Sequence, residues 1–335
     1  MSEHIVSKKE LILFLVVTFG FTAVMGIAMA FAYPKYKVDA FPLVQMCYPA
    51  TGVMIALLLN KNRRKELPIK FYGVYLFFTI TLVLYILVQI FIFHKNPGWY
   101  VECYTIIGSF ALITMYFLDE KDKIDAFGLK IGKNSGESIR YTLLFVILYL
   151  CAILLGELIF GDVKDFIAPF KDPKRLLGMF LLPLSFPLTF IIFLGEEYGW
   201  RYFLQTALQE RLGKRKGIIL LGVIWGIWHL PLNLFYYSPK TSFYSVINQL
   251  IICIGYSVFF GFVYMKTKNI WAVSMIHFIN NNLGAILYGG TGADVVLSGK
   301  AVLINLFCIF VVYLPFLFTK EYSKKEAEVL IIVLR

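Results

Sequence analysis

The chain carries few charged residues for its length. Only 16% of its 335 residues are Asp, Glu, Lys or Arg, whereas soluble globular domains carry about a quarter. Hydrophobic residues make up 59%, and the mean hydropathy is +0.74. This composition excludes a soluble domain and predicts a chain that resides in lipid. The net charge of +11 comes without a contiguous soluble basic domain, which argues against nucleic-acid binding.

Several motifs of hydrolases and metal sites are missing. The five cysteines lie within or beside apolar runs and show no CxxC spacing, which predicts buried thiols rather than a disulfide framework or a zinc cluster. The GxSxG elbow of serine hydrolases is absent. The HExxH motif of many zinc proteases is also absent.

Apolar stretches recur at the length that crosses a bilayer. About 20 residues are needed, and ten stretches approach that length, so we predict an all-α transmembrane bundle of eight to ten spans. The first stretch is longer than the apolar region of a signal peptide, so we predict that it is retained. The ten stretches are residues 11–32, 40–59, 71–94, 99–118, 140–160, 178–195, 217–235, 245–265, 270–287 and 301–319.

The basic residues predict the orientation. If all ten stretches cross and the N-terminus is inside, more than two thirds of the 32 lysines and arginines lie on the inner side, as the positive-inside rule requires. Both termini are then cytoplasmic. The polar segment 119–139 is predicted to be a linker and 161–177 an external loop. We therefore predict N-terminal accessory helices at 1–134, a core that carries the site at 135–320, and a cytoplasmic tail at 321–335.

Polar residues stand where a purely structural span would be apolar. Residues 193–203 read FLGEEYGWRYF, and two histidines lie inside later apolar runs. At about 1.5 Å per helical residue, Glu196 and His229 lie roughly 18 Å from the inner surface, His277 roughly 10 Å and Asn281 roughly 16 Å. Glu196 reaches that depth only if its helix continues through EEYGWR. The alternative is a cytosolic loop after a span that already ends at residue 195.

A spacing of four residues places polar and aromatic side chains on shared helix faces. The acid-before-base order of one pair favours an ion pair, and Glu196, turned by about 100° from its neighbour, then points elsewhere. The pairs are Glu197 with Arg201, Trp225 with His229, and His277 with Asn281. A buried His or Asn often only bonds a neighbouring helix, but ionisable groups at depth are usually functional.

These residue types can hydrolyse an amide without a covalent intermediate. A carboxylate and an imidazole, Glu196 and His229, would activate one water. A second imidazole and a carboxamide, His277 and Asn281, would donate to the developing oxyanion. No cofactor is then required. The alternative is zinc, because Glu196, His229 and His277 also form a His2Glu ligand set.

The ordered motifs resemble those of a known family. EEYGWR at 196–201, WGIWH at 225–229 and HFINN at 277–281 resemble the CAAX-protease and bacteriocin-processing family of intramembrane endopeptidases, which includes the type II CAAX prenyl proteases. The resemblance covers about 185–285. It implies the four catalytic roles given above, with Glu197, Arg201 and Trp225 in support. Trp225 stands where the family motif usually has phenylalanine.

Two other functions remain open at this stage. One is a scaffold or immunity protein of the same fold that binds a partner without cutting it. The other is a proton-coupled transporter, although the paired broken helices typical of transporters are not evident. The predicted partners are the lipid bilayer and a membrane-associated peptide or protein substrate. The abundance of Lys, Ile and Phe suggests a bacterial cell membrane as the location.

Overall fold

The structure is a computed structural model that describes residues 6–160, 163–290 and 292–323. Within these ranges it contains helices and no strand, as predicted. Nine of the described helices are long and apolar enough to cross a membrane, and a tenth span forms if the bent pair Lys214–Trp228 and Leu230–Tyr237 is counted as one. The protein is therefore a multi-pass integral membrane protein with a helical bundle fold.

Between residues 6 and 134, six helices precede the segment predicted to be the core. The first begins with a capping box, because the Ser7 hydroxyl accepts from the Glu10 backbone N–H and the Glu10 carboxylate accepts from that of Ser7. The helices are α1 (Lys8–Ala32), α2 (Ala40–Gln45), α3 (Tyr48–Leu58), α4 (Ile69–Phe91), α5 (Tyr100–Leu118) and α6 (Lys121–Ala126).

The remaining helices carry the predicted site. Two of them are followed by π-helical turns, Tyr198–Gln205 and Asn233–Tyr237. The helices are α7 (Ser135–Phe160), α8 (Val163–Ile167), α9 (Pro173–Glu197), α10 (Thr206–Leu212), α11 (Lys214–Trp228), α12 (Leu230–Leu232), α13 (Ser242–Thr267), α14 (Ile270–Tyr288), α15 (Gly299–Tyr313) and α16 (Lys320–Ser323).

One predicted span is confirmed and one predicted loop is wrong in part. The stretch predicted as one span at 40–59 is a candidate span at Ala40–Leu58, and it consists of α2 and α3, with Pro49 at the start of α3, where its missing N–H is not needed. The external loop predicted at 161–177 contains α8, and α9 already begins at Pro173. Asp172 caps this helix by accepting from the Lys174 backbone N–H at 2.9 Å.

The EEYGWR motif lies within a continuous helical segment, so the cytosolic-loop alternative is wrong. Helix α9, the π-helical turn and α10 together run from Pro173 to Leu212. The segment ends at Gly213, whose φ of +78° is accessible to glycine at little cost. Every residue from Glu196 to Arg201 is buried.

The N-terminal helices pack directly against the segment that carries the site. Phe14 of α1 contacts Trp200 edge-on with ring centroids 5.9 Å apart. The hydroxyls of Tyr72 in α4 and Tyr198 lie 2.6 Å apart. The predicted boundary at residue 134 remains a prediction, but the helices before it share a core with those after it.

The start of the predicted C-terminal tail packs against the bundle. In the predicted tail 321–335, the hydroxyl of Tyr322 donates to the Val258 carbonyl at 2.7 Å, so the tail starts against the core. Residues 324–335 lie outside the described ranges, and the cytoplasmic orientation stays a prediction.

Helix α7 differs from the other spans, because only 6% of its most apolar stretch is buried by protein.

Candidate active site

A cavity of about 440 Å³ lies between the helices that carry the predicted site and the α2 segment. All four residues predicted to be catalytic line it: Glu196, His229, His277 and Asn281. Its remaining walls are aromatic, aliphatic or uncharged polar residues, among them residues of α2, α7 and α13. The described lining contains no lysine or arginine.

Glu196 is held by two indole groups. Its Oε2 accepts from Nε1 of Trp225 at 2.9 Å and from Nε1 of Trp200 at 3.2 Å. The residue is buried, with only 2% of its surface exposed. Two donors on one oxygen fix the rotation of the carboxylate and leave Oε1 for another partner.

Glu197 forms the predicted ion pair and a second contact that was not predicted. Its Oε2 lies 2.8 Å from Nε of Arg201, and both side chains are fully buried. Its Oε1 lies 2.7 Å from Nδ1 of His277. The guanidinium of Arg201 also lies over the ring of Trp225, 4.8 Å from the centroid. An unpaired carboxylate is costly to bury, and here two cationic or hydrogen-bonding groups face it.

His229 lies at a break between two helices. Helix α11 ends at Trp228, and the chain bends by 44° before α12. Pro231 contributes to this break because it has no N–H to continue the helical ladder. The Nδ1 of His229 lies 2.8 Å from the Trp225 carbonyl. A carbonyl only accepts, so the proton of the neutral ring is assigned to Nδ1 and the Nε2 lone pair is free.

Asn281 is the exposed member of the group and lies one helical turn beyond His277. Its Oδ1 accepts from Nδ2 of Asn280 at 2.9 Å. This bond leaves the N–H groups of the Asn281 amide available to an acceptor in the cavity. The predicted pairs at four-residue spacing thus lie along one cavity wall, apart from Glu197 and Arg201, which lie behind it.

The alternative zinc set consists of three residues in the cavity lining. Among the described residues, no group of three or more His, Cys, Asp or Glu side chains is positioned to hold an ion. In the proposed His2Glu set, Oε2 of Glu196 accepts from two indoles, and Nδ1 of each histidine has a hydrogen-bond partner, which leaves Oε1 and the two Nε2 atoms. The zinc alternative therefore stays a prediction, to be tested by chelation.

Sequence reasoning missed two contributors to this site. Trp200 donates to Glu196, and a signal was available, because the two residues are four apart like Glu197 and Arg201. The wall formed by Pro42, Leu43 and Met46 of the α2 segment was also missed. No local pattern connects that segment with the motifs, since about 150 residues separate them.

Comparisons with known proteins cover this part of the chain. Residues 178–283 match the family described as Type II CAAX prenyl endopeptidase Rce1-like. A protein named CAAX prenyl protease 2, from Methanococcus maripaludis, is 31% identical over 113 residues, which are 32% of this chain and 38% of that protein. No solved structure matches the chain. The resemblance inferred from the motifs is thereby confirmed: residues 178–283, which carry Glu196, His229, His277 and Asn281, are similar to the type II CAAX prenyl endopeptidase Rce1-like family.

Proposed function

We propose that the protein is an intramembrane endopeptidase that hydrolyses a peptide bond of a membrane-associated protein or peptide. The observation that carries the proposal is the position of Glu196, His229, His277 and Asn281 on the wall of one cavity. The name of the relative, a CAAX prenyl protease, points to the same reaction class.

Glu196 and His229 activate the attacking water in this proposal. Oε1 of Glu196 and Nε2 of His229 are the two acceptor atoms left free by the contacts described above. A water held by both atoms transfers a proton to one of these two groups as its oxygen attacks the carbonyl carbon of the substrate. The same proton then passes to the leaving amine, which closes the cycle without a covalent enzyme intermediate.

His277 and Asn281 bind the oxyanion. Because Glu197 faces Nδ1 of His277, that nitrogen carries a proton, and only the doubly protonated ring also presents Nε2–H to substrate. Glu197 is the counter-ion for that state, and the Arg201 pair holds Glu197 in place. The amide of Asn281 supplies the second donor. Donors of this kind typically contribute 10²–10³ in rate.

The cavity lining suggests which residues the substrate presents. Aromatic and amide side chains surround the reacting groups, and the described lining has no lysine or arginine to pair with a free carboxylate. An uncharged segment entering from the membrane fits this surface. The predicted bacterial host stays a prediction.

The test compares Glu196→Ala and His229→Ala with wild-type protein in liposomes. Substrates are a farnesylated CAAX peptide and an unmodified membrane-anchored peptide of the same sequence, and mass spectrometry locates new termini. We expect each variant to lose at least ~100-fold in rate, as for loss of a general base. His94→Ala is the control, because His94 is exposed and lies outside the cavity lining.

Two results would contradict this proposal. Wild-type rates in both variants would remove the water-activating pair, and a wild-type protein that binds either peptide without cleaving it would favour the scaffold function. Incubation with EDTA or 1,10-phenanthroline separates the two chemistries. We expect full activity after chelation, whereas loss that zinc restores would establish the metal alternative.

A further inference from the structure

We propose that the N-terminal helices α1 and α2 position His229, and that Gln45 and Gly26 are the residues that do so. Both lie far outside the matched segment 178–283. The inference rests on the proposed function for the role of His229. The contacts themselves are independent of that function.

Gln45 supports the residue that precedes His229. Its Nε2 donates to the Trp228 carbonyl at 3.0 Å, and the side chain is buried, with 4% exposed. Trp228 is the last residue of α11. Carbonyl groups at a helix end need partners from outside the helix. The partner here comes from a helix 183 residues earlier in the chain.

Gly26 supports the residues that follow His229. A Cβ atom at Gly26 would lie 2.8 Å from Cγ and 2.9 Å from Cβ of Pro231, which is closer than packed carbon atoms approach. Helix α1 therefore contacts the break at the proline that interrupts it. Gln45 and Gly26 thus fix the chain immediately before and two residues after His229.

The same region contacts the helix of Glu196. A Cβ at Gly195 would lie 2.6 Å from the Met46 carbonyl oxygen and 3.2 Å from Cα of Cys47. The junction of α2 and α3 therefore touches α9 beside Glu196 and reaches the α11 break through Gln45. Because catalysis requires both groups on one water, the separation of Glu196 and His229 depends on this junction. A displacement of about 1 Å between reacting groups can lower a catalytic rate by roughly 100-fold.

Two variants and two matched controls test the inference in the full-length protein. Gln45→Met removes the donor but keeps the shape. Its control is Gln209→Met, since Gln209 is also buried and donates to a backbone carbonyl, that of Lys214, away from the cavity. Gly26→Ala adds one methyl group against Pro231. Its control is Gly20→Ala on the same helix, where a Cβ meets nothing within 4 Å.

The first readout separates kcat from KM. We expect Gln45→Met and Gly26→Ala to lower kcat by about 10-fold or more while KM stays within about twofold, because chemistry and not substrate binding is disturbed. Both controls keep wild-type kcat. A wild-type kcat in both test variants overturns the inference.

The second readout does not require activity. Cys253 lines the cavity with Sγ 3.8 Å from Nδ1 of His229, so its reaction with methyl methanethiosulfonate, followed by mass spectrometry, reports on the position of the break. We expect several-fold faster modification in the two test variants than in their controls. If wild-type protein cleaves no peptide, the proposed function fails, and the rate of Cys253 modification alone tests whether Gln45 and Gly26 position the break. Equal rates in all five proteins then overturn the inference.

Discussion

Replacement of Trp225 by phenylalanine is the sharpest test of the site geometry. The family motif that the chain resembles usually has phenylalanine at this position, which cannot donate a hydrogen bond. Here the indole N–H donates to Oε2 of Glu196 at 2.9 Å. Trp225→Phe therefore removes one of two donors that orient the carboxylate and leaves Trp200 at 3.2 Å.

The size of the effect follows from the type of bond. Hydrogen bonds to charged groups contribute ~1.5–3 kcal/mol, and each 1.36 kcal/mol is tenfold in rate. If the transition state loses the whole bond, kcat falls roughly 10- to 150-fold. Loss of a donor also makes the carboxylate a stronger base, which would raise kcat and so oppose the loss of orientation. We expect orientation to dominate, because the water must meet Glu196 and His229 together.

Trp228→Phe provides the comparison, since it removes a similar volume beside the same cavity. The Nε1 of Trp228 has no hydrogen-bond partner among the residues that the structure describes. The difference in kcat between the two variants therefore isolates the bond to Glu196. Steady-state kinetics in liposomes should place Trp225→Phe about tenfold or more below Trp228→Phe. Equal values would refute the assigned role of the indole N–H.

Two further predictions concern the groups behind and beside the cavity. Arg201→Ala leaves a fully buried carboxylate that, among the described residues, faces only His277, so we expect a loss of ~3 kcal/mol in stability, the lower end of the range for breaking a buried pair, measured by thermal denaturation in detergent. Lys130→Ala breaks a solvent-exposed ion pair with Asp125, so it should change the stability by at most ~1 kcal/mol. Equal losses of stability in Arg201→Ala and Lys130→Ala would contradict the argument from burial. Asn281→Ala should lower kcat by ~10²–10³ through loss of an oxyanion donor, and single-turnover rates at wild-type level would exclude that role.

The fold was predictable to the extent that it depends on local sequence. Apolar length gave the helical bundle and a span number within the predicted range, because each span must satisfy its backbone internally. Helix ends were less predictable. Asp172 and Pro173 form a standard helix start, yet the polar composition of 161–177 suggested a loop. The second stretch is one candidate span, as predicted, but its division into α2 and α3 before Pro49 was not predicted.

The candidate site was predictable where its residues share a helix face. The four-residue spacing predicted that Glu197 pairs with Arg201 on one helix face and that Glu196 points away from that pair. Both features are present. The contact between Glu197 and His277 joins two helices 80 residues apart. No spacing rule reaches across such a distance. The catalytic roles themselves stay predictions until the variants are assayed.

The role of the first helices was beyond sequence reasoning for the same reason. The contact of Gln45 with Trp228 and the approach of Gly26 to Pro231 depend on how α1 and α2 pack onto the bundle. Each of these residues looks ordinary in its own apolar run. Only the assembled tertiary structure gives them a relation to His229.

Helix α7 contributes Tyr149 to the cavity wall, yet only 6% of the residues in its most apolar stretch are buried by protein. Phe145 packs against the rings of Tyr256 and Phe259, whereas the opposite side of this helix depends on acyl chains for its contacts. Detergent that replaces those chains would change how readily α7 moves aside, while Glu196 and its indole donors stay enclosed. Turnover of a bulky peptide should therefore vary with lipid thickness and micelle type more strongly than turnover of a small one.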